Sequence, residues 1–120
     1  MEAPKIFASE YRFCLILWEN EPINSTKLVK LCKERLGWSK ATTYTVIRRL
    51  SERGVVQNEN TIVSSLISKE QAQQDRLEAM MDETFEGDMP AFLAAFSKSQ
   101  KLSQADVAQL RTFIENYPVE

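Results

Sequence analysis

The sequence contains no histidine, and this absence removes a large part of enzyme chemistry. Ser-His-Asp triads, Cys-His nucleophiles and histidine metal ligands all need an imidazole. Two cysteines cannot supply a four-ligand zinc site by themselves. The chain also has no glycine-rich phosphate loop and no cluster of residues at metal-ligand spacing. We therefore predict no cofactor, no metal site and no enzymatic activity.

Long hydrophobic runs are also missing. No run exceeds six residues, the length of Phe13 to Trp18, whereas a helix that crosses a bilayer needs about 20. The first five residues are not followed by the apolar stretch of a signal peptide. We expect a cytoplasmic protein without membrane insertion. Cys14 and Cys32 lie in apolar periodic stretches, so we expect two buried thiols; a thiol sensor pair is the alternative.

The net charge of −2 conceals an asymmetry along the chain. Residues 1–58 carry ten basic and six acidic side chains, whereas residues 59–120 carry five and eleven. With 43% hydrophobic residues, 120 residues are enough for one domain, or for a small domain with an appended arm. A basic half joined to an acidic half is typical of a protein of which one part meets a polyanion.

Three short helices are predicted in the first half, each bounded by a capping residue and by a proline or glycine. Their bounds are Ser9 to Glu21, Asn24 or Ser25 to Leu36, and Ser39 to about Arg53. Only Gly37-Trp38-Ser39 separates the second helix from the third, which is the turn of a helix-turn-helix. Two β-prone runs follow around Asn58-Glu59-Asn60 and predict a hairpin. Three helices and a two-stranded wing make a winged helix.

The second half predicts three more helices, beginning near Ser68, Asp88 and Ser103. The first of them starts with a polar stretch, Glu70 to Asp75, which we expect in solvent. We place the winged-helix domain at residues 1–67 and a helical dimerisation region at residues 68–120. Each helix of this region is apolar along one side only, which favours pairing with a second copy. The predicted dimerisation residues are Leu77, Met81, Phe85, Phe92, Leu93, Phe96, Leu110, Phe113 and Ile114.

The exposed side of the third helix carries basic, hydroxyl and methyl groups and no acid. Arg48 can bond guanine O6 and N7, and methyl groups such as that of Ala41 can touch the thymine methyl. Hydroxyls and free helix amides can hold phosphates. The alternative is an ordinary solvated helix face. The candidate residues for binding double-stranded DNA are Ser39, Lys40, Ala41, Thr42, Tyr44, Thr45 and Arg48, with Lys27 and Lys30 on the second helix.

The wing predicts little DNA contact, because Asn58-Glu59-Asn60 contains no lysine or arginine. Glu59 is repelled by phosphate. Either the wing stays off the DNA, or its asparagine amides reach the minor groove without support from charge. We therefore expect a modest salt dependence of binding.

Three groups of residues resemble the penicillinase-repressor family, which includes the β-lactamase, methicillin-resistance and copper-responsive repressors of bacteria. The resemblance covers residues 8–116. It lies in Ser9-Glu10-Tyr11 through Leu17-Trp18-Glu19, in Trp38-Ser39 with Thr42, Thr45, Arg49-Leu50 and Arg53-Gly54-Val55, and in Phe85-Glu86-Gly87-Asp88 with Leu93, Phe96, Leu102-Ser103 and Leu110-Arg111. It implies a homodimer that binds a palindromic operator and blocks transcription.

The resemblance also implies a means of release. In the antibiotic-responsive members a membrane sensor-protease triggers cleavage of an Asn-Phe bond, which aligns with Ala95 and Phe96; the phenylalanine is present here and the asparagine is not. The copper-responsive members carry a cysteine-rich motif near the C-terminus, and no cysteine follows Cys32. An inducer or a sensor-protease is thus a partner that the resemblance implies. A winged-helix adaptor that binds other proteins is the alternative function.

Overall fold

The computed structural model describes residues 5–119. Within that range the chain forms six helices and a three-stranded antiparallel sheet, with the bounds α1 (Ala8–Asn20), β1 (Ile23–Asn24), α2 (Ser25–Leu36), α3 (Lys40–Glu52), β2 (Val56–Glu59), β3 (Ile62–Ser65), α4 (Lys69–Glu83), α5 (Met89–Ser99) and α6 (Gln104–Glu115). Two compact units are present, the first ending at Leu77 and the second beginning at Glu78. The predicted fold class, mainly helical with a winged helix, is confirmed.

Side-chain caps and a left-handed glycine set the helix ends around the predicted turn. Asn24 Oδ1 accepts a hydrogen bond from the Thr26 amide at 2.8 Å, and Ser39 Oγ accepts one from the Thr42 amide at 3.1 Å. Gly37 ends α2 with φ of +70°, a conformation that residues with a Cβ rarely adopt. The three-residue link between α2 and α3 is therefore confirmed.

The predicted start of the first helix at Ser9 is wrong. The helix α1 begins at Ala8, and Phe7 occupies the N-cap. The Phe7 amide donates to the Glu10 carboxylate at 2.9 Å. The Glu10 carboxylate, at the third position of the helix, thus accepts a hydrogen bond from the backbone amide of the N-cap residue. This is one of the two hydrogen bonds that make up a capping box.

The core of the first unit lies between α1, α2, α3 and the sheet. Phe13, Leu17, Leu28, Leu50 and Val63 are fully buried in it. Both tryptophans pack against this core, as predicted; the Trp38 ring stacks on Phe13 with centroids 6.1 Å apart.

The sheet has the strand order β1-β3-β2, and its third strand was not predicted. The hairpin pairs Glu59 with Ile62, so its turn is Asn60-Thr61 and not the predicted Asn58-Glu59-Asn60. Both turn residues have positive φ, +53° and +68°, as in a type I′ turn. Strand β1 pairs with the β3 residues nearest the turn, Ile62 and Val63. The wing is consequently short and its tip is tied to the start of α2.

Helix α4 begins after Ser68 as predicted, but it ends earlier than predicted and its first turns are less exposed. It stops at Glu83 rather than near Glu86, and Gly87 follows with φ of +75°. At its start, most of the polar stretch 70–75 is exposed as predicted, but Ala72 is only 2% exposed. The first unit accordingly includes the first two turns of α4.

The second unit is held by aromatic contacts and capped helices. Phe92 meets Phe85 edge-on at 5.5 Å and lies 6.0 Å from Phe96. Asp88 caps α5, and Ser103 caps α6 with Asp106 completing the capping box. Between residues 5 and 119, no helix has the length and hydrophobicity needed to cross a membrane.

Candidate nucleic-acid interface

The inner face of α3 is buried as the sequence predicts. Thr43, Val46, Ile47 and Leu50 point into the core of the first unit. The buried Thr43 hydroxyl donates to the Ser39 carbonyl oxygen at 3.1 Å, so its polar group is satisfied. This packing fixes which side of α3 remains available for a ligand.

The outer face of α3 is exposed and basic. From Lys40 to Ser51 the helix contains no acidic residue. The exposed side chains on it belong to Lys40, Ala41, Thr42, Arg48 and Arg49. These cationic, hydroxyl and methyl groups can contact the hydrogen-bonding groups and the thymine methyl groups that base edges present in the major groove.

The N-terminus of α3 adds a positive end to this face. Ser39 Oγ caps the helix and also donates to Thr42 Oγ1 at 3.0 Å. The first amides of a helix have no acceptor within it, and the aligned peptide dipoles make this end electropositive. An anion such as a DNA phosphate is therefore favoured here.

Tyr44 and Thr45 are less exposed than the predicted outer face requires. Both are half-buried, and the Tyr44 ring packs against the core. The Tyr44 hydroxyl lies 3.2 Å from Ser25 Oγ, at the first residue of α2. The side chain therefore bridges α3 and α2, and only its outer edge faces solvent.

Helix α2, which begins at Ser25, also carries the two candidate lysines. Lys27 and Lys30 are exposed and lie in the first and second turns of the helix. The Ser25 amide donates to the Thr61 carbonyl at 2.8 Å, which joins α2 to the wing turn. The first turn of α2, the wing turn and Tyr44 are thus neighbouring groups.

The hairpin itself contributes no positive charge. Residues 56–65 include no lysine or arginine, and Glu59 is exposed. Asn24 Nδ2 donates to Thr61 Oγ1 at 3.4 Å, a contact that holds the turn against α2. The wing therefore offers amide and hydroxyl groups to a ligand but no cation.

The structure also reveals an anchor for α3 that sequence reasoning missed. The Arg53 guanidinium, just after α3, makes a bidentate ion pair with the buried Glu10 of α1 and donates to the Lys5 carbonyl. Burial raises the pKa of the Glu10 carboxyl, but hydrogen bonds from Arg53 and Phe7, with the charges of Arg53 and Arg49, lower it below 4.5. The arginine and the glutamate are 43 residues apart in sequence, so no local pattern signals this pair.

Both cysteines are buried, which confirms the structural interpretation of these residues. Burial raises the pKa of the Cys14 thiol to about 12, and nearby Glu10 and Glu21 add to the shift. Burial likewise raises the pKa of the Cys32 thiol to about 11, although a hydrogen bond from Thr43 acts to lower this pKa. Neutral, inaccessible thiols are poor nucleophiles.

Residues predicted for dimerisation fall into two groups. Met81, Phe85, Phe92 and Phe96 are half-buried, and the exposed group consists of Leu77, Leu93, Leu110, Phe113 and Ile114. Ala95 and Phe96, which align with the family's cleaved bond, lie inside α5. None of the residues of α5 and α6, from Met89 to Glu115, is buried.

A short turn between two helices, a hairpin wing and an acid-free outer face on α3 together define a winged helix-turn-helix of the DNA-binding class. The family model of the penicillinase repressor matches residues 7–116. The chain belongs to the penicillinase repressor family, whose members are transcriptional regulators that bind DNA and are not enzymes. The methicillin resistance regulatory protein MecI of Staphylococcus aureus (strain Mu50 / ATCC 700699) is 21% identical over 114 residues, covering 92% of this chain and 93% of MecI.

Proposed function

We propose that two copies of this chain bind a palindromic DNA operator through α3 and repress transcription of the adjoining gene. The observation that carries the proposal is the exposed face of α3, which presents Lys40, Thr42 and Arg48 and contains no acid before Glu52. A solvated helix of the same length usually mixes both signs of charge.

The exposed residues of α3 read the base sequence directly. Arg48 donates two hydrogen bonds to a guanine, and the Ala41 methyl contacts a thymine methyl. Thr42 and Thr45 offer hydroxyls to base edges or phosphates. Contacts to the DNA backbone come from Ser39 and the free amides beside it, from the Tyr44 edge, and from Lys27 and Lys30.

Dimerisation through the second unit completes the proposal. Met89, Leu93, Phe113 and Ile114 are exposed in the single chain. A unit of about 40 residues without a buried residue in α5 or α6 is too small to be stable on its own. A second copy of the same segment offers a matching apolar face. Two α3 helices in successive major grooves then need half-sites about 10 bp apart, or a multiple of that.

The decisive experiment is a mobility shift of the full chain with fragments from its own genomic neighbourhood, in about 0.15 M salt with competitor DNA. A discrete complex that survives the competitor supports the proposal and supplies the palindrome for footprinting. Smeared binding that the competitor abolishes for every fragment, and for duplexes selected from a random pool, overturns it in favour of a protein-binding adaptor.

A further inference from the structure

The start of α4 is held against α1 by a set of contacts that we name the α4 seam. Trp18 Nε1 donates to the Ile67 carbonyl oxygen at 3.0 Å, just before α4 begins. The Arg76 guanidinium carbon lies 4.4 Å from the centroid of the Tyr11 ring. Between Ile67 and Arg76, Ala72 is buried, and the Tyr11 and Trp18 rings meet edge-on at 5.6 Å. These five residues form the seam.

The order of the contacts gives the direction of α4. Trp18, late in α1, contacts the chain before α4, whereas Tyr11, two turns earlier, contacts its second turn. The start of α4 therefore runs antiparallel to α1. Ser68 Oγ accepts from the Gln71 amide at 3.0 Å and fixes the first turn. The first unit ends at Leu77, one residue beyond the seam.

The seam also connects to the DNA-binding face through α1. The same helix carries Glu10, whose ion pair with Arg53 anchors the end of α3. One helix thus contacts both α4 and the segment that follows α3. The first two turns of α4, which belong to the first unit, are thus held by the same helix as the residue that follows α3.

We propose that the α4 seam determines the half-site spacing that the repressor accepts, with Tyr11, Trp18 and Arg76 as positioning residues that do not touch DNA; this rests on the dimeric operator binding proposed above. Inserting one base pair between half-sites displaces the second by about 3.4 Å and turns it by about a tenth of a turn. A chain whose α4 is held at its start tolerates this displacement poorly. If the seam is released, each DNA-binding unit can shift its position to match a displaced half-site.

The test compares three variants of the full chain with the wild type. Ala72→Glu introduces a bulky charge at a buried position, and Arg76→Gln removes the guanidinium above Tyr11 while leaving the core intact. Lys69→Gln is the matched control, because it removes one positive charge from an exposed position of the same helix. The probes are the palindrome found by footprinting, the same duplex with one or two central base pairs added or removed, and a duplex with one half-site.

We expect the wild type and Lys69→Gln to lose roughly tenfold in affinity per base pair of altered spacing, comparable to one disrupted base contact. For both seam variants the loss is roughly threefold or less. Affinity for the single half-site and the dimeric mass stay as in the wild type, which a general loss of folding does not produce.

An unchanged spacing profile in Ala72→Glu overturns the proposal. If that variant fails to bind even the half-site, Arg76→Gln decides, and a wild-type profile there overturns the proposal equally. The underlying dimer model is tested separately, on the wild type and before any variant is made. That model fails if the wild type is a monomer, or if it binds one half-site as tightly as the palindrome.

Discussion

Arg48 is the residue at which DNA readout can be tested with the least disturbance of the fold. Its side chain is exposed on α3, between the buried Ile47 and Leu50, which stay unchanged. We expect Arg48→Ala to weaken specific operator binding by about 1–3 kcal/mol, because a bidentate contact with guanine is lost. Titration with the palindrome and with a scrambled duplex measures both specific and nonspecific affinity.

Arg35→Ala is the matched control for this substitution. Arg35 is also an exposed arginine, but it pairs with Glu19 of α1 at 2.9 Å. Its removal takes away the same charge from the basic half of the chain, and we expect operator affinity to stay within about twofold. Equal losses in the two variants contradict base readout by Arg48 and indicate a general electrostatic effect.

Glu10 and Arg53 form an ion pair between α1 and the residue that follows α3. The Glu10 side chain is 7% exposed and receives charge-assisted hydrogen bonds from Arg53. We expect Glu10→Gln to lower the free energy of unfolding by about 1.5–3 kcal/mol, because the substitution leaves the half-buried Arg53 guanidinium without its counter-charge. Denaturant unfolding at pH 7, followed by circular dichroism, measures this loss.

The pH dependence of the same pair follows from the lowered pKa of Glu10. The carboxyl titrates at its ordinary value of 4.5 in the unfolded chain and below it in the folded chain. The stabilisation is therefore complete above pH 4.5 and disappears as the pH falls through the folded pKa. The difference in stability between wild type and Glu10→Gln should shrink over that acidic range. Glu19→Gln is the control; its pair is exposed, and we expect a change below about 1 kcal/mol.

Side-chain length explains where sequence reasoning misjudged single residues. A helical wheel places Tyr44 outward, but its long side chain reaches Ser25 on the neighbouring helix. The polar stretch Glu70 to Asp75 is likewise predicted to lie in solvent, whereas Ala72 within it is only 2% exposed. Periodicity predicts the direction of a Cβ well and the end of a long side chain poorly.

Among the elements, the wing turn carries a feature that a substitution can test. Thr61 has φ of +68°, which is strained for a residue branched at Cβ. We expect Thr61→Gly to raise the free energy of unfolding by about 1 kcal/mol, since relief of strain exceeds the entropy cost of glycine. Denaturant unfolding of the full chain provides the measurement.

Thr26→Gly is the appropriate comparison for the turn. Thr26 is exposed in the first turn of α2, where the backbone is helical and no strain is present. The same exchange should lower stability there by about 0.3–0.5 kcal/mol. If Thr61→Gly instead lowers the free energy of unfolding, the expected strain at Thr61 is contradicted. That result would indicate that the hydrogen bond between Asn24 and Thr61 stabilises the fold by more than the strain destabilises it.

Helices were predicted from the sequence more reliably than strands, and local chemistry accounts for the difference. Asn24, Gly37 and Ser39 each act on a neighbouring turn of backbone, so their signals lie within four residues. Strand β1 contains two residues, and its partners in β3 are about 40 residues away. Pairing over that distance depends on the whole fold and leaves no local pattern.

At the scale of the whole molecule, the basic half, residues 1–58, lies within the first compact unit, which ends at Leu77. The exposed outer face of α3 could be predicted because periodicity and charge pattern agree along one helix. The anchoring of α3 by Arg53 and the buried start of α4 could not, since both depend on contacts distant in sequence. The candidate residues on the face were therefore predictable, and the contacts that orient the face were not.

The apolar surface of the second unit leads to the last prediction. Ile114 is 68% exposed on α6 and belongs to the side formed with Val107 and Leu110. If a second copy covers this side, Ile114→Asp places a charge in an apolar interface and forfeits about 1.5–3 kcal/mol of side-chain burial. We expect the dimer to dissociate at least tenfold more readily in sedimentation equilibrium. Thr112→Asp adds the same charge on the opposite side of α6 and should leave the dimer intact, so equal behaviour of the two variants contradicts this interface.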